Sequence, residues 1–464
     1  MSQHIAALSM KRFSVIVTCL ALALPVSAQK ESSAKPPEGA WLADGYGLLF
    51  ELNTTDLSVY ELTSISCSYS QTRPPIKAVP SNSTLAFSSG NSITTLSRTD
   101  DPNTLRLHMD WAASDLILHR TDKLPEMCTH KPANSPQENY AIFWQTFAEQ
   151  YPFFALRKVD WRAVDQQFRS KVTNTTGPAE LFQIFRQMIE PLHDTHTSIE
   201  ASDLKQEFEG WRRDPGNRSD ADWKEAASII ESKYLQGPLL PYCKGRIQFG
   251  MLKSHLGYLR VTTFYDYADG TYADELQCLQ HSLTSIFETR EKLNGLVIDV
   301  RLNHGGDDPL GVEIAARLTD KKYLAYEKAA RNNSALDAPV HFTERQPLWV
   351  VPAGAPGFKG KVALLIGPDT VSAGETFTMA LMGREPHVLR IGLNTQGVFS
   401  DVLRRSLPNG WYFGLPNEVY YTADGTAFDA IGVPPDIQVS FFTLEDLKVS
   451  RDAALEEAIR RLTN

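Results

Sequence analysis

Ser372 is the residue of this chain best placed to do chemistry. It stands in TVSAGE, Thr370 to Glu375, with an apolar run, Val362 to Ile366, leading in and a helix-like run, Thr376 to Met382, leading out. A strand that turns sharply into a helix presents one side chain at the helix N-terminus. The amides that follow, Ala373 and Gly374, then point outward, and the positive helix end favours a developing oxyanion. A serine in this place is either a nucleophile or a helix cap, a role for which serine is among the commonest residues. The stretch alone allows both.

The second group of reactive residues is PLHDTHTSI, Pro191 to Ile199. Three readings compete for its histidines. His193 with His196 is half of a metal site, but no cluster with ligand spacing completes it and HExxH is absent. As polar residues at a helix end they are unremarkable. As a general base, His196 needs a distant serine and an acid partner.

The elements that must position these residues are legible from period and punctuation. From Glu38 to about His130 short alternating runs recur (GYGLLFEL, LSVYEL, STLAF, SITTL, TLRLHM, DLILHR) between Asn, Ser, Gly, Pro and Asp turns, which is the pattern of a small antiparallel β domain. Its function is not readable: a binding module and a structural cap fit equally. Pro132 to Pro136 reads as a linker. Gln137 to Tyr151 and Val159 to Val172 are helix-like, and in Pro178 to Leu192 the residues Leu181, Ile184, Phe185, Met188, Ile189 and Leu192 share one face. Phe143, Trp144, Phe147, Phe153 and Phe154 read as core. Ala201 to Leu240 is charged and reads as helical, with Trp211 and Trp223 as packing residues.

From Gly257 the sequence turns to α/β. LGYLRVTTF and GLVIDVR read as buried strands, Ala273 to Leu293 and Pro309 to Leu318 as helices, and NHGG as a glycine turn. After Ala353 to Gly360, a surface loop, and TVSAGE come short strands at Val388 to Ile391, Asp401 to Leu407, Trp411 to Leu415 and Glu418 to Tyr421. An amphipathic helix, Ser450 to Leu462, comes last. The division expected is residues 1–28, 29–131 (β), 137–255 (helical) and 256–464 (α/β).

Residues 1–28 read as a secretory signal: Lys11 and Arg12, an apolar run Ser14 to Leu24, and Val26-Ser27-Ala28 as cleavage site, giving a mature N-terminus at Gln29. No later segment is long enough to span a bilayer. Without that segment the net charge goes from −9 to −11 and four of the five cysteines remain. An even count in an exported protein invites disulfides. Sequence does not fix the pairing, but Cys67 with Cys128 and Cys243 with Cys278 each lie within one region and are favoured. The acidic balance argues against nucleic acid, and no zinc-type cysteine spacing appears, so neither metal nor cofactor is expected.

Taken together, DVRLNHGG (Asp299 to Gly306), TVSAGE, IGLNTQG (Ile391 to Gly397) and DAIGVPPDI (Asp429 to Ile437) resemble, in order and spacing, the tail-specific or C-terminal processing serine peptidases. DTHT (Asp194 to Thr197) is similar to the branch that contains the tricorn protease core and the modules of interphotoreceptor retinoid-binding protein. The resemblance covers roughly Gln137 to Leu462. It implies a crotonase-like or ClpP-like ββα spiral core of α/β class with a helical subdomain before it, and Ser372 as nucleophile.

The resemblance also implies the partners. Gln396 stands where the tail-specific branch has its base lysine, so the base is expected to be His196. Thr195 matches a position whose hydroxyl helps to order the site. Asp429, three residues before Gly432, matches a position that usually carries glutamate. The oxyanion is expected between the N–H of Ala373 and one from Gly305 or Gly306, where glycine lets backbone approach substrate; an ordinary turn is the alternative for that pair. Ala201 to His255 is too short for the PDZ domain that reads the carboxyl ends of polypeptides by strand addition, so strict tail recognition is not implied. The expectation is an exported serine peptidase acting on peptides or unfolded segments without a cofactor. The alternative is a non-catalytic module for small apolar ligands on the same fold. Export argues against an acyl-CoA enzyme of crotonase type.

Overall fold

The computed structural model describes residues 36–76, 84–121, 123–210, 220–288, 293–332, 340–354 and 356–464. The signal-like segment with Cys19, the cleavage point before Gln29, and Trp211 lie outside the described residues. Among those described, no helix is long and apolar enough to cross a membrane.

The alternating runs at the start form eight antiparallel strands: Gly39–Ala43, Leu48–Leu52, Leu57–Leu62, Cys67–Arg73, Thr84–Ser89, Ser92–Arg98, Thr104–Met109 and Leu116–Thr121. Each pairs with the next except the fourth with the fifth, and the first pairs with the last. The fourth and fifth meet just beyond Arg73, where Ile76 N–H donates to the carbonyl of Ala86 (2.8 Å) and Ser88 N–H to that of Pro74 (2.9 Å). The sheet therefore closes into an up-and-down barrel, which removes its edges. Period-2 alternation puts Trp41, Phe50, Leu57, Leu96, Leu105 and Leu118 on one buried face.

One end of the barrel docks on the rest of the protein. The Tyr46 hydroxyl donates to Glu418 Oε1 (2.5 Å), Asn417 Nδ2 to the carbonyl of Gly45 (3.0 Å), Gln346 Nε2 to the carbonyl of Asp115 (2.7 Å), and Ser64 N–H to Glu149 Oε1 (2.8 Å). The barrel interior is continuous with the core of the helical part. The Cys67–Cys128 disulfide ties the fourth strand to the segment leaving the barrel.

Helix Pro136–Gln150 starts at Ser135, whose hydroxyl accepts the Glu138 N–H, with proline at the first position. Helix Pro178–Ile189 buries the face read from its spacing. Phe143 stacks on Phe185, ring centroids 4.3 Å apart, and reaches Phe413 of the four-stranded sheet at 4.9 Å. That sheet runs Gln206–Glu209, Ser198–Ala201, Tyr412–Pro416, Val402–Ser406 in spatial order.

The α/β part is a seven-stranded sheet in the order Leu240–Tyr242, Ile247–Leu252, Leu256–Val261, Gly295–Asp299, Val362–Ile366, Val388–Gly392, Ile437–Gln438. From Leu256–Val261 onward the pairings are parallel, and such strands, buried on both faces, read as continuous apolar runs. Helices Tyr272–Phe287, Asp308–Ala316, Ala373–Met382 and Ala453–Thr463 cover it. Arg301, 1% exposed, bonds both Asp299 and Asp452 and lies between Phe441 and Phe442, which fastens the last helix to the sheet. Cys243 is bonded to Cys278, as the regional argument favoured.

One stretch differs from the sequence reading, and a second carries no expectation there. Among the described residues of Ala201 to Leu240, only Asp220–Ile229 and the turn after it are helical, while Gln206–Glu209 pairs with Ser198–Ala201. The strand Tyr323–Ala330, YLAYEKAA, lies between Gln346–Val350 and Glu418–Tyr421. Its alanines and charges favour helix, and pairing on both sides overrides that preference.

Candidate active site

Ser372 opens helix Ala373–Met382 with φ 54° and ψ −119°, a conformation that only a closely tied backbone holds in a non-glycine residue. The ties are present. Thr370 Oγ1 donates to the carbonyl of Val300 (2.8 Å), Val371 N–H to that of Asn303 (2.9 Å), and Ser372 N–H to that of Val398 (3.1 Å). The Glu375 N–H, which a capping serine would engage, lies 2.7 Å from the carbonyl oxygen of Ser372.

The glycine turn crosses directly over this serine. Gly305 has φ 86°, and a Cβ there would stand 2.7 Å from Ser372 Cβ and 3.3 Å from its Oγ. Gly306 has φ 132°, and a Cβ there would meet the Phe264 carbonyl at 2.3 Å. The Gly305 N–H is engaged by Asn303 Oδ1 (3.0 Å), while Asn303 Nδ2 donates to the carbonyl of Val261 (3.1 Å). The amides of Gly306 and Ala373 donate to no group among the described residues. Of the two glycines it is thus Gly306 whose N–H is available beside the serine, with Gly305 providing the clearance.

His196 sits on a turn tied down by Asp194, which is 1% exposed. Asp194 Oδ1 accepts the His196 N–H (3.0 Å), and Oδ2 accepts the Tyr151 hydroxyl (2.9 Å) and pairs with Arg157 (3.5 Å). The Asp194 carbonyl accepts both the N–H and the Oγ1–H of Thr197, at 3.0 and 2.7 Å. Thr195, expected to help order the site, has a buried hydroxyl with no hydrogen-bond partner, so Asp194 and Thr197 do the ordering. His193 is exposed, and among the described residues no group of three or more His, Cys, Asp or Glu is placed to hold a metal ion.

Asp429 is 4% exposed and its Oδ2 has no hydrogen-bond partner. Burial pushes its carboxyl well above the usual range, the charges of Asp194 and Glu375 push it further, and Arg157 opposes them. Three carboxyl groups from the histidine turn, the Asp429 loop and the serine helix therefore share one buried neighbourhood.

Glu375 joins these segments. Its Oε1 accepts the Thr395 hydroxyl (2.5 Å) and the Gly397 N–H (2.6 Å), and its Oε2 the Val398 N–H (2.8 Å) and the Ser372 N–H (3.3 Å). Thr395 Oγ1 in turn accepts the Val433 N–H (2.7 Å), and the Gly397 carbonyl the Ala430 N–H (2.8 Å). Burial pushes Glu375 up to about 7 against the pull of its donors. Glu375, Asp194 and Asn303 were missed as site residues. The sign for Glu375 was in plain view: a glutamate three places after the serine, the spacing of a capping box.

Gln396 is buried in the loop that Glu375 holds. Lys328, the one lysine buried among the described residues, cannot stand in as base. Burial would lower its pKa, but ion pairs to Asp401 (3.0 Å) and Glu418 (2.9 Å) hold its ammonium charged well above the usual lysine value.

The profile described as peptidase family S41 matches residues 255–439, which hold the glycine turn, the serine helix and the Thr395 and Asp429 loops. That of the tricorn protease C1 domain matches residues 132–190, up to the histidine turn. This chain resembles peptidase family S41. Among curated relatives, it is 27% identical over 193 residues to a carboxy-terminal-processing protease of Bartonella bacilliformis, covering 40% of its own length and 39% of that protein. It is 25% identical over 228 residues to the chloroplastic carboxyl-terminal-processing peptidase 2 of Arabidopsis thaliana, covering 45% and 40%. It thus spans about two fifths of the length of these relatives. A solved putative peptidase from Parabacteroides merdae superposes with a TM-score of 0.59 at 24% identity, covering 72% of this chain and 98% of that structure. Mature CPAF gives 0.53 at 12% identity, covering 71% and 97%. These likenesses establish the mixed α/β fold of this chain.

Proposed function

We propose that this protein is an exported serine peptidase that hydrolyses peptide bonds in peptides or unfolded protein segments. The observation that carries the reading is the pair of unengaged amides, Gly306 and Ala373, beside a serine held at positive φ. In this reading Ser372 Oγ attacks the substrate carbonyl carbon while His196 takes its proton. The carbonyl oxygen becomes an oxyanion between the two N–H groups. The C–N bond then breaks, His196 returns the proton to the leaving amine, and an acyl-serine remains. Water, deprotonated by His196, hydrolyses that ester and restores the serine.

Asp429 is the acidic member in this reading. A carboxyl group carrying little stabilisation of its own in the resting site gains from an imidazolium beside it, so its favourable interaction grows as charge develops. Thr195 lines the same turn. The match of residues 255–439 to peptidase family S41 supports the peptidase class, and the signal-like start supports export, which N-terminal sequencing of the mature protein at Gln29 checks.

The deciding experiment is reaction with a fluorophosphonate probe followed by peptide mapping. Labelling of Ser372 together with release of new peptide termini from a mixed peptide library is expected. Absence of both in folded protein would return the molecule to the non-catalytic, small-ligand alternative.

A further inference from the structure

The barrel holds chemistry that the catalytic reading leaves unused. Facing residues fix which side chains point inward: Trp41 lies opposite Phe50, and Phe50 opposite Val59. Leu57, two residues from Val59, therefore faces inward, and Arg73 lies opposite Leu57. Around the other side, Leu105 faces Leu118 and Leu107 faces Leu96, which puts Thr94 on the inner face too. Much of the inward face is apolar, and this arginine and threonine are among its polar members.

Arg73 is only 9% exposed. It donates to Thr94 Oγ1, its Nε is buried with no hydrogen-bond partner, and burial alone pulls its pKa below the ordinary arginine value, with no carboxylate offsetting that. Residues 77–83, which connect its strand to the next, contain no Asp or Glu. Trp41 is fully buried in the same interior, and its indole N–H also lacks a partner. Both orphans are donors, and each is destabilising while unmet. Two more arginines share the inner face, Arg98 opposite Leu105 and Arg120 opposite Trp41, with the Arg120 guanidinium 5.6 Å from the Trp41 ring centre.

These groups lie toward the end of the barrel opposite the docked one, beside the exposed turn that precedes Leu57. The acids on the neighbouring turns are occupied locally. Asp56 is bonded to Asn53 and Thr55, and Asp101 to Asn103 and Thr104. What the site lacks is a negatively charged acceptor, and a guanidinium fork fits a carboxylate bidentately. The surrounding Leu57, Phe87 and Leu105 suit an apolar body.

We propose that the barrel binds a carboxylate carried on an apolar body, with Arg73 as the anchoring cation. A fatty acid and the C-terminus of an apolar peptide both have this chemistry.

The test is calorimetric titration of the full-length Ser372→Ala protein, in which turnover cannot interfere, with decanoate, N-acetyl-trileucine and, as the uncharged comparison, decanol. Saturable one-to-one binding of decanoate or of the peptide is expected, and which of them binds identifies the source. Arg73→Gln should weaken it at least about tenfold and Arg73→Lys by less, while decanol gives no saturation. Arg73→Met should raise the melting temperature of ligand-free protein, since it removes an uncompensated buried charge, and decanoate should close the gap by stabilising the parent alone. Equal affinity of the parent and Arg73→Gln, or no saturable binding of either carboxylate by millimolar concentration, would overturn the proposal. If Arg73→Gln does not fold, the Arg73→Lys titration and the decanol comparison decide.

Discussion

The amide nitrogen of Ser372 lies 3.3 Å from Oε2 of Glu375, a fully buried carboxylate three residues along the same helix. That carboxylate takes four donors from the serine turn and the Thr395–Val398 loop. In Glu375→Gln the amide NH₂ must face two of those donors. Turnover of a peptide substrate is expected to fall by about 10²-fold or more, with Ser372 labelling slowed in parallel. Unchanged labelling would show that the four bonds do not position the nucleophile.

The same residue gives a pH signature. Its folded value of about 7 lies above the ordinary 4.5, so the folded protein takes up a proton more readily than the unfolded one. The stabilisation this contributes is complete below about 4.5 and is lost as pH rises through about 7. Against Glu375→Gln, the parent should therefore gain up to about 3 kcal/mol between about pH 8 and pH 4.5, read from urea unfolding at each pH. Asp307 and Asp308, also pushed up to about 7 by burial, act on both proteins alike. A constant difference across this range would contradict the assignment.

His196 and Gln396 separate two chemistries. His196→Ala should lower turnover by about 10³-fold or more, comparable to Ser372→Ala, and activity of the parent should fall on acidification as the imidazole takes a proton. Gln396→Ala should cost far less, because an amide accepts no proton from the serine. Near-normal turnover in His196→Ala would send the search to another base.

Gly305→Ala introduces a Cβ 2.7 Å from Ser372 Cβ at φ 86°. Activity is expected to drop by about 10²-fold with a smaller relative change in melting temperature, since the clash is with the nucleophile. A variant that is fully active would mean that this turn is not at the site of chemistry.

Lys328→Met removes the cation shared by Asp401 and Glu418, leaving Glu418 buried without its ion pair. A loss of about 3–5 kcal/mol in unfolding free energy is expected. The pH profile of activity in molecules that remain folded should not move, because a lysine held charged takes no part in the proton relay.

The serine helix, the glycine turn and the amphipathic face of Pro178–Ile189 were legible because each is a local pattern: an apolar run, a breaker, a period. Barrel closure was not, since it depends on Ile76 and Pro74 meeting Ala86 and Ser88 across a connection that alternation does not describe. Nor was the strand Tyr323–Ala330, whose residues favour helix until neighbours claim both of its edges. Asp194 looked like one polar residue among several in DTHT. Its weight comes from Tyr151 and Arg157, more than thirty residues upstream, and no spacing rule connects them.

The backbone shape of Ser372 has a consequence for the order of events in the life of the protein. That shape depends on Asn303 from one side and on Val398 and Glu375 from the other, and the loop bearing Val398 is itself pinned from Val433. During synthesis the first four hundred residues can be present while Val433, which pins the loop bearing Val398, is not. A serine in an unrestrained polypeptide relaxes to ordinary dihedrals and is only a serine. Ser372 thus takes its strained shape only once the segment bearing Val433 has folded against that loop.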